Sequence, residues 1–160
     1  HEMTNISKAL QDKLEENSKI ITLHEVRKLE SIDGTIKYLF ELQDGHVVES
    51  VLMSYKYGNS VCISSQVGCR MGCKFCASTI GGLKRQLLAS EMVGQIYEIS
   101  RLSGKKISNI VVMGTGEPLD NYDELIKFIA IIHSKEGMNI SERNITVSTC
   151  GIHQIHREVC

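Results

Sequence analysis

Residues 64–76 read Ser-Ser-Gln-Val-Gly-Cys-Arg-Met-Gly-Cys-Lys-Phe-Cys, and the expected chemistry of the chain follows from this segment. Three of the six cysteines, Cys69, Cys73 and Cys76, fall within eight residues with the spacing Cys-x3-Cys-x2-Cys. Two glycines in the segment permit tight turns that let the three thiolates face one point. Such a loop suits a metal cluster and leaves one coordination position open.

A structural zinc site is an alternative, but zinc usually takes four ligands in two Cys-x2-Cys-like pairs. Here Cys73 and Cys76 are followed by no second pair, and the next cysteine is Cys150. A disulfide framework needs an oxidising compartment, and nothing in the sequence resembles a secreted protein. An iron–sulfur cluster normally takes four thiolates, so three protein ligands leave one iron free for a substrate. The spacing therefore favours a cluster over zinc, and metal analysis separates the two.

The residues before the cysteine segment predict a short helix and an antiparallel β unit. Apolar residues at helical spacing predict an amphipathic helix over residues 3–16. Three β-rich runs follow, separated by Asp-Gly pairs that favour hairpin turns because glycine adopts positive φ. These runs and turns are Ile20–Leu29, Asp33-Gly34, Thr35–Leu42, Asp44-Gly45 and Val47–Tyr55.

After residue 57 the pattern alternates between strands and helices. Apolar, β-branched runs predict strands over residues 60–65, 107–113 and 145–149. Strands that alternate with helices form parallel βαβ units with right-handed crossovers. The predicted fold class is therefore α/β.

The helices between these strands have predicted ends. Ser90 is predicted to be the N-cap of a helix that ends at Gly104, and a further helix is predicted to begin at His153. Asn121 and Glu124 have the spacing of a capping box for the helix between. That helix has one apolar face, formed by Leu125, Phe128, Ile129 and Ile132.

Three blocks of the sequence resemble a known family. The cysteine triad, with Phe75 before its last member, resembles the signature of the radical S-adenosylmethionine (radical SAM) enzymes. Residues 62–69, residues 114–121 (Gly-Thr-Gly-Glu-Pro-Leu-Asp-Asn) and residues 147–151 (Val-Ser-Thr-x-Gly) resemble, in order, the RlmN type of RNA adenine C2-methyltransferase. Their order makes the match more specific than the triad alone.

The resemblance implies a fold and two cofactors. The radical SAM fold is a partial (β/α) barrel of six parallel units, and this chain would be a truncated fragment that covers its first half. Residues 1–57 would form an accessory region of one helix and antiparallel strands, and residues 58–160 an incomplete barrel core. The implied cofactors are a [4Fe–4S] cluster and S-adenosyl-L-methionine (SAM), which the open iron holds through its amino and carboxylate groups.

The resemblance also assigns cofactor contacts. Without the resemblance, residues 116–118 could be either a ligand-binding turn or an ordinary one, and Ser148 would be a generic residue at the end of a strand. The implied cluster ligands are Cys69, Cys73 and Cys76, and the implied SAM contacts are Gly116, Glu117 and Ser148.

Two catalytic residues are implied as well. Cys62 by itself would be an inert strand cysteine. In the family, a cysteine at this place resolves an RNA–protein intermediate through a transient disulfide with a methyl-carrying cysteine near the C-terminus, which this chain lacks. Glu49 takes the place of a family glutamate that acts as proton acceptor, although alone it would be a solvated strand residue. No role is implied for Cys150, Cys160, His153 or His156.

The implied activity is methylation of C2 of an adenine in 23S rRNA and tRNA. Because that carbon is not nucleophilic, one SAM methylates the C-terminal cysteine and a second supplies a 5′-deoxyadenosyl radical that activates the methyl group. A reductant such as flavodoxin or ferredoxin is an implied partner. A fragment without the C-terminal cysteine would bind the cofactors without methylating RNA.

Other functions remain open at this stage. A Cfr-type enzyme methylates C8 of the same adenine, but that type has alanine at the place of Pro118 and cysteine at that of Val67. A different radical SAM enzyme, such as a glycyl-radical activase, would not carry the block at residues 114–121. A non-catalytic module that holds a cluster or zinc is the third alternative.

Composition adds little about partners. The chain has 18 basic and 19 acidic residues, so its net charge of −1 does not support a nucleic-acid binder. Its start lacks the apolar run of a signal peptide, and its longest apolar run, residues 128–132, is too short to span a membrane. The expected location is the cytoplasm, with no membrane partner.

Overall fold

The computed structural model describes residues 6–17 and 23–152. The regular elements are α1 (Lys8–Asn17), β1 (His24–Glu30), β2 (Ile36–Glu41), β3 (Val47–Tyr55), β4 (Gly58–Ile63), β5 (Gln66–Val67), β6 (Arg85–Gln86), α2 (Ala89–Ser103), β7 (Ile107–Val112), α3 (Tyr122–His133) and β8 (Ile145–Val147). Short 3-10 helices span Ala77–Thr79, Pro118–Asn121 and Glu142–Asn144.

Six strands form one sheet in the order β1-β2-β3-β4-β7-β8. The first four pair antiparallel, whereas β4 with β7 and β7 with β8 pair parallel. Strands β5 and β6 make a separate antiparallel pair. The predicted α/β class with parallel strands is confirmed. Because β3 pairs directly with β4, one sheet contains strands from both sides of the predicted domain boundary at residue 57. The division into two domains stays a prediction.

Both predicted hairpin turns are present. Gly34 and Gly45 have φ of +81° and +80°, values that side chains other than glycine's rarely adopt. The carboxylate of Asp33 accepts a hydrogen bond from the backbone N–H of Thr35 at 3.0 Å, which closes the first turn. The local sequence therefore sets the register of β1, β2 and β3.

The core lies between the sheet and helices α2 and α3. Tyr38 and Phe40 of β2 stack with ring centroids 5.6 Å apart and are fully buried. The predicted apolar face of α3 is confirmed, with Leu125, Phe128 and Ile132 in the same core. Among the described residues, no helix has the length and apolarity needed to cross a membrane.

Two predicted helix starts are corrected by the structure. Helix α2 begins after Leu88, whose backbone N–H donates to Glu91 at 2.9 Å, so Ser90 lies in its first turn rather than at its N-cap. Asn121 precedes α3, but its side chain does not cap the helix and donates to two buried carbonyls instead. Glu124 is likewise turned away and accepts from the backbone N–H of Ala89.

The N-terminal helix also differs from its prediction. It begins at Lys8, and residues 3–5 of the predicted span lie outside the described residues. Leu10 and Leu14 remain exposed, and the helix buries none of its residues. Helical spacing of apolar residues was therefore not sufficient for burial here. The predicted helix from His153 also lies outside the described residues.

We expect the small stabilising contribution of Asp44 to disappear in acid. A hydrogen bond from Arg85 holds the pKa of this carboxyl below its ordinary value. An Asp carboxyl whose pKa is lowered by folding stabilises the fold at pH values above its ordinary pKa. That stabilisation is lost as the pH falls through the pKa of the folded state. Asp44→Asn should therefore lower stability by at most about 1 kcal/mol at pH 7. Thermal unfolding of both chains should converge as pH falls from about 6 to about 3, and a constant difference would contradict this account.

Candidate cofactor site

A cavity of about 330 Å³ opens at the carboxyl ends of β4, β7 and β8. All three cysteines of the triad line it, which brings residues of the loop after β4 against the loops after β7 and β8. The predicted SAM contacts line the same cavity. They are Gly116, Glu117 and Ser148.

The cysteine loop leaves β4 through a tightly bonded junction. The fully buried Gln95 of α2 accepts from the backbone N–H of Ser64 at 2.9 Å and donates to its carbonyl at 3.0 Å. The amide oxygen of Gln95 also accepts from the hydroxyl of Ser50 at 2.8 Å. A single side chain thereby fixes the point at which the strand becomes the loop, and nothing in the local sequence pattern identified it.

Glycine conformations shape the loop itself. Gly68 and Gly72 have φ of +75° and +69°, as the predicted tight turns require. A side chain at Gly68 would also meet the carbonyl oxygen of Gly82 at 2.0 Å. The backbone N–H of Cys76 donates to the carbonyl of Cys73 at 3.0 Å, closing the last turn.

The described cysteines are all free thiols, so no disulfide forms among residues 6–17 and 23–152. Within those same residues, no three His, Cys, Asp or Glu side chains converge closely enough to hold a single metal ion. The three cysteines of the triad line the same cavity. Cys69 is buried, and Cys73 and Cys76 are half-buried.

An ion pair ties the cysteine loop to the loop after β7. Arg70, between the first two cysteines, donates to the carboxylate of Asp120 through Nε at 2.9 Å and also through Nη2. Gln66 donates to the same carboxylate at 2.8 Å and accepts from the backbone N–H of Glu117, also at 2.8 Å. The hydrogen bond from Arg70 lowers the pKa of Asp120. We call these contacts the Arg70–Asp120 clamp.

We expect Asp120→Ala to release the cluster about tenfold faster to a chelator, because one charge-assisted hydrogen-bond network no longer holds the loop. Glu98→Ala is the matched control. In the Glu98–Arg101 pair the side chains are 11% and 60% exposed, against 9% and 60% for Asp120 and Arg70. The control should retain iron as wild type does. Equal iron release by both variants would mean that the clamp has no specific role.

Glu117 is a buried carboxylate at the wall of the cavity, only 3% exposed. Burial alone would raise its pKa, but hydrogen bonds from Thr149 and from the backbone N–H groups of Cys150 and Leu119 outweigh burial and lower it. The two backbone bonds measure 2.8 and 3.0 Å. The group is therefore ionised at neutral pH, and its oxygens retain lone pairs that can accept from a ligand.

Cys150 is a fourth cysteine in this cavity, and the sequence patterns had given it no role. Its thiol donates to Glu117, and this bond raises the pKa of Cys150 to about 11. The thiol of Cys150 thus contacts Glu117 and lies on a different loop from the triad. Its position two residues after Ser148, just beyond the end of a parallel strand, could have indicated that Cys150 lies at this cavity.

The two predicted catalytic residues lie apart from the described lining of the cavity. Cys62 is half-buried in β4, and burial raises the pKa of its thiol. Glu49 is exposed in β3 and forms an ion pair with Lys37 at 3.2 Å. Because Val51 is the partner of Cys62 across the β3–β4 pair, Glu49 and Cys62 point to the same face of the sheet. Their catalytic roles stay predictions.

The donor set fits a cluster and SAM. Three thiols on one loop can supply three ligands, and Cys150, on another loop, is hydrogen-bonded to Glu117. An ionised buried carboxylate beside them suits an ammonium group. Gly116 also lines the cavity, and glycine is required there because a Cβ would lie 2.5 Å from Cβ of Gln66. Residues of these types in one cavity are typical of enzymes that pair an iron–sulfur cluster with a charged small molecule.

Comparison with known proteins gives the same class. Residues 63–158 match the family model of the radical SAM superfamily, and the chain belongs to that superfamily. Membership implies a [4Fe–4S] cluster and SAM as cofactors. The crystal structure of a radical SAM methyltransferase from Sphaerobacter thermophilus superimposes with a TM-score of 0.84 at 44% identity, over 94% of this chain and 45% of that one. The predicted partial barrel is thereby confirmed.

Two curated relatives are similar at higher identity. A probable dual-specificity RNA methyltransferase RlmN from Lachnoclostridium phytofermentans is 64% identical over 152 residues, and one from Lysinibacillus sphaericus is 54% identical over 154. Each alignment covers 94% of this chain but only 43% and 40% of the relative. The chain thus spans less than half the length of these relatives, and the predicted resemblance to the RlmN type is confirmed over that span.

Proposed function

We propose that this chain is the cofactor-binding part of an RNA methyltransferase that methylates C2 of an adenine in 23S rRNA and tRNA. The observation that carries the proposal is the meeting of the cysteine triad, Glu117 and Ser148 at one cavity, in a chain 64% identical to a protein named RlmN. The cluster and SAM together supply one-electron chemistry, which can functionalise a carbon that is not nucleophilic.

Different residues of the cavity are proposed to bind the cluster and SAM. Cys69, Cys73 and Cys76 hold the cluster at the mouth of the barrel. Glu117 would accept from the ammonium group of SAM, with the backbone of Gly116 beside it in the same cavity, and Ser148 would offer a hydroxyl. Burial of the Glu117 carboxylate keeps water away from it, which strengthens its contact with a charged group.

Cys62 and Glu49 are proposed to act on the RNA rather than on SAM. Both point to the sheet face opposite helices α2 and α3. The raised pKa of Cys62 keeps its thiol protonated, so a base must remove the proton before its sulfur can attack the sulfur of the second, methyl-carrying cysteine. The new S–S bond would form as the bond between that sulfur and the RNA-bound carbon breaks, with the electron pair and a proton going to the RNA. Glu49 is the carboxylate proposed to accept protons on this face.

The proposed partners follow from the same activity. They are 23S rRNA and tRNA as substrates and a one-electron donor such as flavodoxin or ferredoxin. The proposed location is the cytoplasm, where thiols of this kind remain reduced.

The proposal is tested with the reconstituted chain, SAM, dithionite and unmodified transcripts of 23S rRNA segments and tRNA. Digested RNA is analysed by mass spectrometry against 2-methyladenosine and 8-methyladenosine standards, and 5′-deoxyadenosine is measured in parallel. Residues 1–160 alone are expected to give 5′-deoxyadenosine without methylated adenine, and 2-methyladenosine is the expected product when the chain is joined to the C-terminal part of an RlmN relative. 8-Methyladenosine would overturn the assignment in favour of a Cfr-type enzyme. SAM cleavage without methylated adenine by the joined protein would limit this chain to a module that binds and cleaves SAM.

A further inference from the structure

Two exposed tyrosines stack on each other at the turn between β3 and β4. Tyr55 ends β3 and Tyr57 lies in the turn, with ring centroids 5.0 Å apart and ring planes within 5°. The residues remain 47% and 74% exposed. The pair therefore presents a flat aromatic surface to solvent rather than contributing to the core. Sequence-tolerant binding of nucleobases uses surfaces of this kind.

Lysines surround this pair. Lys56 lies between the two tyrosines in the turn, and the ammonium of Lys105 donates to the hydroxyl of Ser54 at 2.8 Å. The carbonyl of Lys106 accepts from the side chain of Asn59 at 2.9 Å, which places the start of β7 beside the turn. Within the described part of the chain, none of the three lysines forms an ion pair.

The charge around the turn is locally one-sided although the chain as a whole is balanced. Residues 50–60 and 104–110, which form the turn and the start of β7 beside it, contain three lysines and no Asp or Glu. In the neighbouring β1–β2 turn, the carboxylate of Asp33 is bonded to Thr35 and not to these lysines. An anionic partner with flat rings fits such a surface better than an apolar one does.

We propose that this tyrosine–lysine patch, formed by Tyr55, Lys56, Tyr57, Lys105 and Lys106, is a second RNA contact. A base of an unpaired segment stacks on the outer face of a tyrosine, and the lysines contact the flanking phosphates. The inference rests on the proposed function, because it extends the RNA-bound surface beyond the cavity.

The location of the patch determines which RNA can reach it. The patch lies at the amino-terminal ends of β4 and β7, whereas the cofactor cavity lies at their carboxyl ends. A six-residue strand such as β4 is about 20 Å long. A short oligonucleotide placed at the cavity therefore does not reach the patch, but a folded RNA with an unpaired tail does. The patch thus favours large, folded substrates.

The test is fluorescence anisotropy of the reconstituted chain with two RNAs, a short adenine-containing oligonucleotide and a hairpin with an unpaired tail. The double variant Tyr55→Ala, Tyr57→Ala should bind the hairpin RNA about tenfold more weakly, because one stacked base is lost, and the short oligonucleotide as wild type does. Tyr97→Ala is the matched control, since Tyr97 is an exposed tyrosine elsewhere, on α2. Unfolding curves confirm that the variants fold, and Tyr57→Leu keeps the bulk without the aromatic face.

A second variant tests the phosphate contacts. Changing Lys56, Lys105 and Lys106 to glutamine should reduce the slope of log affinity against log salt by about 2 for the hairpin RNA. The same change at three exposed lysines elsewhere, Lys13, Lys28 and Lys135, should leave the slope unchanged.

Unchanged hairpin affinity in the tyrosine variants would overturn the inference and leave the patch available to a protein partner. Absence of hairpin binding by the wild-type chain would overturn it as well. Failure of the proposed function is recognised separately, because SAM cleavage at the cavity does not involve the patch. A chain that cleaves SAM but binds both RNAs independently of the tyrosines retains the proposed function and loses only this inference.

Discussion

Replacement of Cys73 by alanine is expected to remove the cluster and all SAM cleavage while the fold is retained. Cys73 is a half-buried residue on the cavity loop, and its truncation removes no residue of the hydrophobic core. Two thiolates cannot replace three as ligands, so iron should fall to background after anaerobic reconstitution. Iron per chain, visible absorbance and 5′-deoxyadenosine formation measure the loss, and the unfolding curve of the metal-free variant checks the fold.

Cys150→Ala is the matched control for this prediction because its thiol lines the same cavity. The thiol lies on a different loop from the triad and is hydrogen-bonded to Glu117, so its removal should leave the iron content unchanged. Equal loss of iron in the two variants would show that four cysteines hold the metal. That result would favour a closed site such as zinc with four thiolates over a cluster with an open iron.

Glu117→Gln is expected to weaken SAM binding by about ten- to a hundredfold without loss of the cluster. The carboxylate holds one N–H donor on each oxygen, from Leu119 and from Cys150, and still has lone pairs for an ammonium group. Glutamine keeps the shape but carries no charge and offers only one acceptor oxygen, so one backbone N–H also loses its partner. Equilibrium dialysis of labelled SAM against the reconstituted variant measures the change.

Glu91→Gln separates this effect from a general loss of stability. Glu91 is a second buried glutamate, 5% exposed against 3% for Glu117, and it also accepts from a backbone N–H, that of Leu88. It lies at the start of α2, bonded to Arg85. The control should be less stable than wild type but bind SAM equally well. Weakened SAM binding in both variants would mean that Glu117 acts only through the fold.

Much of the fold could be predicted because the relevant signals are local. β-Branched runs bounded by Asp-Gly turns gave β2 and β3 to within a residue or two, since those turns need the positive φ of Gly34 and Gly45. The apolar spacing in α3 identified the face that packs on the sheet. The cysteine loop and the block around Glu117 were identified by resemblance, and the comparisons agree on the superfamily.

The remaining errors concern contacts between residues distant in sequence. Asn121 has the spacing of a cap, but its side-chain amide donates to the carbonyls of Ser65 and Leu87 instead. Both residues are buried, and buried carbonyls are normally satisfied by hydrogen bonds. Gln95 and Arg70 carry no pattern that reveals their partners across the fold. Such pairings exist only once the strands are aligned, and periodicity in one segment does not encode them.

We propose above all that residues 69–76 hold a cluster whose open iron binds SAM. The most direct measurement is electron paramagnetic resonance of the anaerobically reconstituted, dithionite-reduced chain, recorded with and without SAM, together with iron and sulfide analysis. We predict about four irons and four sulfides per chain and a signal that changes when SAM is added. A colourless chain that contains zinc, or a cluster whose signal is indifferent to SAM, would contradict the claim.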